Sequence, residues 1–332
     1  MSDLRGITPT MLDRAQGCLL GQLAGDSLGS QVEFSSAEYL RWKYPKGVRE
    51  LRDGGVWTIL AGQPTDDSEL ALKLARTLVR EKRFDRDAIF AAYLDWYHSR
   101  PFDIGNTIMA ALGGRNPNTE SQSNGSLMRI SPLGIFTARC PEQAAAWARA
   151  DSRLTHPNPV CQDSCAAFVV ALATAIGSEA TPRACYQAAL AEAERSGADA
   201  SVIEAMKKAN DLPPEVCDDE KQGWVLIALQ NAFYQLLYAV NVEEGLVDTV
   251  QKGGDTDTTA AIAGALLGAV HGRQGVPQRW VDTLLNCRPQ LPLIPKRHLH
   301  WRPEEYWPID ALELAEALLQ GPAEGNGGSR GS

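Results

Sequence analysis

Residues 253–270 read Gly253-Gly254-Asp255-Thr256-Asp257-Thr258-Thr259 and then AAIAGALLGAV, a tight acidic turn that opens directly onto an apolar run. Apolar residues recur there at three-to-four spacing, which predicts a helix over 257–271 with carboxylates at its start. The same spacing recurs through 11–30, 68–81, 86–98, 141–150, 161–177, 182–195, 222–240 and 310–320. Strand-like alternation is nearly absent, and clusters of Gly, Pro, Asn and Asp at 113–126, 155–159 and 211–219 separate the periodic segments. The reading is an all-α fold, a compact multi-helix bundle with loops long enough to carry function and at most short hairpins, one of them around 46–60.

The chain has 332 residues, 44% hydrophobic and 22% charged, enough for a large buried core and far from a disordered or fibrous composition. No fixed-period repeat and no interior linker divides it. We expect one domain over 1–321, with the Gly/Ser-rich 322–332 as a flexible tail. A net charge of −9 without any Lys/Arg stripe argues against nucleic acid as a partner. It leaves a phosphate-bearing small ligand open, because helix starts and cations hold phosphate without a basic patch. The start of the chain lacks the basic-then-apolar order of a secretion signal. The longest apolar stretch, Thr259 to Val270, is too short to span a bilayer, so the expectation is a cytoplasmic protein with no membrane partner. Seven cysteines without C-x-x-C spacing suggest packed thiols, Cys161 and Cys165 included.

A second segment shares the design of the first. Pro64-Thr65-Asp66-Asp67-Ser68-Glu69 precedes the apolar helix LALKLARTL. One acceptor is enough to cap a helix start, yet each segment carries a close Asp pair, and such crowding is unfavourable unless a cation or a shared proton relieves it. Carboxylates with Thr hydroxyls form a hard, all-oxygen donor set that suits Mg²⁺ or Mn²⁺. Adjacent Asp residues point in different directions, which suggests two ions. A third stretch, Gly25-Asp26-Ser27-Leu28-Gly29-Ser30-Gln31-Val32-Glu33, reads as a helix with a Gly-lined contact, Asp26 a buried acceptor and Glu33 a carboxylate free to face a site.

Taken together, GDSLGSQVE, PTDDSE, NGSLMRISPLG (124–134) and GGDTDTTAAIAGALLGA resemble the ADP-ribosylglycohydrolase family over roughly residues 13–285. The stretches SRPFDIGNT (99–107) and SRLTHP (152–157) resemble its branch that acts on ADP-ribosyl-arginine. The resemblance implies the family's all-α orthogonal bundle and two Mg²⁺ (or Mn²⁺) ions held by Thr65, Asp66, Asp67, Asp255, Asp257 and Thr258. It implies catalytic roles for Glu33, Asp103, Asp66 and Asp257, with Asp103 the mark of the arginine-directed branch. Asn124, Gly125, Ser126 and His156 would bind the ligand; the family more often has Gly where Ser123 stands.

The expected activity is removal of ADP-ribose from arginine on an ADP-ribosylated protein, by water attacking the anomeric carbon of the distal ribose. ADP-ribose would be the product. The alternatives are an immunity protein that neutralises an ADP-ribosyltransferase toxin by hydrolysis or occlusion, and a hydrolase of serine-linked or other conjugates. Trp57, Trp96 and Tyr97 are available to stack on adenine, but aromatic residues at helical spacing are usually core, and none is assigned.

Overall fold

The computed structural model describes residues 6–115, 118–215, 217–290 and 300–323. Among them are α1 (Pro9–Gly29), α2 (Ala37–Lys43), α3 (Asp66–Glu81), α4 (Arg86–His98), α5 (Asn106–Leu112), α6 (Ser131–Phe136), α7 (Ala144–Ser152) and α8 (Pro159–Gly177). The chain continues through α9 (Pro182–Ser196), α10 (Ala200–Ala209), α11 (Val225–Tyr238), α12 (Val242–Val250), α13 (Thr256–His271), α14 (Gln278–Asn286) and α15 (Ala311–Leu319). No strand occurs among the described residues. Isolated antiparallel bridges are all that forms, and Gly54 with Ile59 is the whole of the expected hairpin. From residue 324 on, the expected tail lies outside the described residues.

Every helix read from periodicity is present. α2, α5, α6, α10, α12 and α14 carried too little signal to be read. They are short, and α6 is buried along its whole length, which erases the contrast between faces. α8 overturns one expectation. At 19 residues it is long and apolar enough to cross a membrane by length and composition, which Thr259–Val270 is not, but 78% of it is buried inside the protein. Gln162, Asp163 and Ser164 interrupt the run to the eye without lowering its mean enough to matter. It is a core helix, with Cys161 and Cys165 packed on its buried side.

The centre of the fold is the antiparallel pair α1 and α13. Gly17, Gly21, Gly25 and Gly29 form one face of α1, because residues four apart align on a helix. They meet Gly268, Gly264, Ala260 and Thr256 in turn. A Cβ on Gly21 would lie 2.1 Å from the Gly264 carbonyl oxygen, so the two backbones touch directly. The Thr256 hydroxyl closes the end of the contact by donating to the Gly29 carbonyl at 2.8 Å. α11 and α12 pack on α13, and α15 packs on α1. A single hydrophobic cluster runs from Met11 to Leu319 around this pair.

Since a methyl group has nowhere to go between two helix backbones, Gly21→Ala and Gly264→Ala should each lower the unfolding free energy by about 3 kcal/mol. Urea denaturation measures it, and a loss below ~0.5 kcal/mol, the size of an ordinary surface change, would show that the helices part freely.

Candidate active site

The antiparallel pairing brings the C-terminal end of α1 to the N-terminal end of α13, and α3 begins beside them. Thr65, just before α3, makes no side-chain cap. Asp26, fully buried on α1, takes that role: it accepts from the Thr65 N–H at 3.1 Å and the Ser68 N–H at 3.2 Å. A helix capped from its neighbour does not need its own acids for the purpose. Asp66 is therefore free to line a cavity, where it accepts from the Gly105 N–H at 3.2 Å. Asp67 turns inward, with Oδ2 3.0 Å from the Thr65 hydroxyl and Oδ1 buried without any hydrogen-bond partner.

The second acidic loop is held by its own turn. Gly254 sits at φ +76°, and a Cβ there would come within 1.9 Å of the Cys217 carbonyl oxygen. Phe34 N–H donates to the Gly254 carbonyl at 2.7 Å and Gly254 N–H to the Ser35 carbonyl at 2.9 Å, which pins the Glu33 loop to the acidic turn. Asn124 donates from Nδ2 to Asp255 Oδ2 at 2.7 Å, and Thr258 N–H donates to Asp257 Oδ1 at 2.9 Å. Carboxylate oxygens of Glu33, Asp255 and Asp257 lie within 4.8 Å of one another.

These elements enclose a cavity of about 430 Å³. Of the residues singled out in the sequence, Glu33, Asp66, Asp103, Asn124, Gly125, His156, Asp255, Asp257 and Thr258 line it. Thr65, Asp67 and Ser126 do not. Ser126, which the resemblance places with the ligand-binding residues, turns its side chain away from the cavity. It is fully buried, with its hydroxyl 2.9 Å from that of Ser152 and in contact with the Cys165 thiol, because the short 3₁₀ turn Asn124–Ser126 points its last side chain into the core. Thr65 and Asp67 stand behind Asp66, in the layer that α1 buttresses.

No Lys or Arg lines the cavity, so nothing among its described walls offsets the acids. Burial first, then the charges of Asp103 and Asp255, pushes Glu33 up to about 8. Burial, and then the neighbouring Asp66, pushes Asp103 up to about 9, while Asp66 rises to about 7. Burial likewise drives Asp67 and Asp257 well above the ordinary carboxylate range. Such a cage wants protons or cations. The orphaned Asp67 Oδ1 and the oxygen-only donor set fit a hard divalent ion.

Several participants carry no signal in the sequence. Trp57, considered there as a stacking ring, instead donates its indole N–H to Glu33 Oε2 at 2.6 Å. Trp96 is core, its N–H on Glu69 Oε2 at 2.7 Å. Arg302, past the motifs read in the sequence, donates from Nε and Nη2 to the two Glu69 carboxylate oxygens at 2.7 Å and from Nη1 to the Ser99 carbonyl at 3.1 Å, which anchors the loop that carries Asp103. Gln222 and Gly223 also line the cavity, from the acidic loop before α11. Arg129 alone left a trace: a cation inside the apolar stretch SLMRISPLG implies a buried partner, and Asp151 provides it.

In chelator, Glu33, Asp66 and Asp103 titrate near 8, 7 and 9 in the folded protein, against roughly 4 when unfolded. The fold binds these protons more tightly, so the stability they contribute is complete below about pH 4 and is lost as pH rises through 7 to 9. The melting temperature in EDTA should therefore fall from pH 5 to pH 9, and millimolar Mg²⁺ or Mn²⁺ should flatten the fall. A flat profile in EDTA would contradict the crowding.

A model of the family described as ADP-ribosylglycohydrolase matches residues 7–317. The chain is 30% identical to the ADP-ribosyl-[dinitrogen reductase] glycohydrolase of Rhodospirillum rubrum over 285 residues, covering 83% of this chain and 92% of that one. It is 30% identical to the ADP-ribosylarginine hydrolase Tri1 of Pseudomonas putida (strain GB-1), over 83% of this chain and 76% of that one. A solved structure titled ADP-ribosylglycohydrolase-related protein complex superposes with a TM-score of 0.75 at 26% identity, covering 94% of this chain and 99% of the other. With family model, sequence and fold in agreement, the chain belongs to the ADP-ribosylglycohydrolase family.

Proposed function

We propose that the protein is a metal-dependent hydrolase that releases ADP-ribose from ADP-ribosylated arginine on proteins. The observation that carries this reading is the convergence of Glu33, Asp66, Asp103, Asp255 and Asp257 on one cavity with the Asn124–Gly125 loop on its wall. Two bacterial relatives whose names specify ADP-ribosylated dinitrogen reductase and ADP-ribosylarginine support the arginine linkage. Hydrolysis is favoured over occlusion of a toxin because the acids face into a cavity and not onto an outer surface.

Asp66, Asp67, Asp255 and Asp257, with Thr65 and Thr258, would hold two Mg²⁺ or Mn²⁺ ions. Such ions supply positive charge that binds a sugar diol and eases deprotonation of water. The chain's own residues supply the rest. Trp57 holds Glu33 by donating to Oε2, and with bound ions neutralising the cage Glu33 would be ionised and placed to accept a proton from the attacking water. Asp103, beside Asp66 and anchored through the Ser99 loop, stands to hydrogen-bond the guanidinium N–H groups and assist its departure. Asn124 is committed to Asp255, so ligand phosphate falls to backbone N–H groups of the loop, with Gly125 permitting close approach.

Incubation with arginine-, serine- and glutamate-linked ADP-ribosyl substrates, each with Mg²⁺, Mn²⁺ or chelator, tests the assignment. Release should occur from the arginine linkage and stop in chelator. Asp66→Ala and Asp257→Ala should abolish turnover with circular dichroism unchanged. Asp103→Asn should lower arginine-linked turnover by about 100-fold while ADP-ribose still binds. Release from a non-arginine linkage alone would overturn the substrate assignment, and full activity of Asp66→Ala in chelator would overturn the site.

A further inference from the structure

Behind the cavity wall lies a buried polar chain that no step above uses. Arg129 is fully buried and held on three sides. Its Nε lies 3.2 Å from Asp151 Oδ2, its Nη2 donates to the Asp151 carbonyl at 3.1 Å, and its guanidinium lies over the Tyr93 ring at 4.4 Å. Tyr93 in turn donates its hydroxyl to Asp151 Oδ1 at 2.8 Å. The remaining Arg129 nitrogen, Nη1, donates to Thr155 Oγ1 at 2.7 Å. Thr155 Oγ1 is also 2.8 Å from His156 Nδ1, and His156 Nε2 is 3.0 Å from Ser123 Oγ. Ser123 and Thr107, both on the cavity wall, pair at 3.0 Å, and Thr107 meets Ser121 at 2.8 Å.

Donor counting gives this chain a direction. A guanidinium can only donate, so Thr155 accepts from Arg129. His156 Nδ1 is the one other atom set against this buried hydroxyl among the described contacts, and giving its proton to Nδ1 is what leaves no buried donor unpaired. A neutral imidazole that accepts at Nδ1 carries its proton on Nε2, which then donates to Ser123. Ser123, accepting from the ring, passes its own proton to Thr107. An imidazolium would turn Nδ1 into a donor, strand the buried Thr155 proton without its acceptor, and set a second positive charge close to Arg129.

We propose that Arg129 and Thr155 are positioning residues that hold His156 as the neutral Nε2–H tautomer, and thereby orient the Ser123–Thr107 hydroxyl pair that faces the ligand. His156 then acts as a fixed donor within the wall and takes no part in acid–base chemistry. Its depressed basicity agrees: burial, reinforced by the Arg129 charge, lowers its pKa to about 3. Gly125 completes the seat, since a Cβ there would press to 3.1 Å from the imidazole. The consequence for binding rests on the ADP-ribose reading of the cavity; the tautomer does not.

Long-range ¹H–¹⁵N spectra of the ligand-free protein report the tautomer directly. The expected result is a single neutral His156 protonated at Nε2, unchanged from pH 5 to pH 8. An Nδ1-protonated ring, or an imidazolium in that range, would overturn the proposal. Thr155→Val removes the hydroxyl link and should lose the Nε2 preference and weaken ADP-ribose binding about tenfold, with KM rising more than kcat falls. Thr155→Ser should restore both. A wild-type tautomer and affinity in Thr155→Val, or an altered tautomer at unchanged affinity, would each refute the link between relay and wall. Failure of the wild-type protein to bind ADP-ribose would refute the ligand reading alone, because the tautomer is measured without ligand.

Discussion

The backbone contact between α1 and α13 is the constraint from which the rest follows. Helices usually stand 8–10 Å apart because side chains separate them. Here glycines at four-residue intervals remove the spacers, so the Gly21 and Gly264 carbonyls occupy the space a methyl would need. The antiparallel pairing then fixes which ends meet. It carries Asp26 on α1 and Glu33 in the loop just past its end toward Asp255 and Asp257 at the start of α13, and the Thr256 to Gly29 bond sets the register.

From that register comes the division of labour among the acids. Asp26 caps α3 from outside, so the acids of α3 are not needed as caps: Asp66 faces the cavity and Asp67 stands in the layer behind it. The cost is electrostatic. Buried carboxylates without a compensating cation of the protein's own are held protonated or must be neutralised by a bound ion. The same crowding that lowers stability at high pH would be relieved by a bound cation, which would link binding and fold stability through one set of charges.

Around this cage the protein places rigid polar supports. The Glu69–Arg302 pair steadies the Ser99 loop on one side, and the Arg129–Asp151 pair steadies the wall that carries His156 on the other. Both cations are buried with their donors satisfied, the condition under which a buried ion pair orders its surroundings without leaving an unpaired charge. The all-α class, the two acidic helix starts and the acids that line the cavity were readable from residue type, periodicity and family resemblance. The short helices α2, α5, α6, α10, α12 and α14 were not, because six to ten residues carry too little period, and the burial of the Ser126 side chain was not, because a 3₁₀ turn spaces its side chains differently from an α-helix.

Local sequence alone determined the helices, the Asp pairs that open α3 and α13, and the hard-oxygen chemistry they imply, since propensity, capping and charge repulsion act between near neighbours. Only the tertiary structure decided that Asp26 would cap α3, that Trp57 would hold Glu33, that Asp67 would turn inward, and that Arg302 and Arg129 would brace the walls. These are contacts between residues far apart in the chain. Their partners are chosen by the register of two helix backbones and not by anything written beside them.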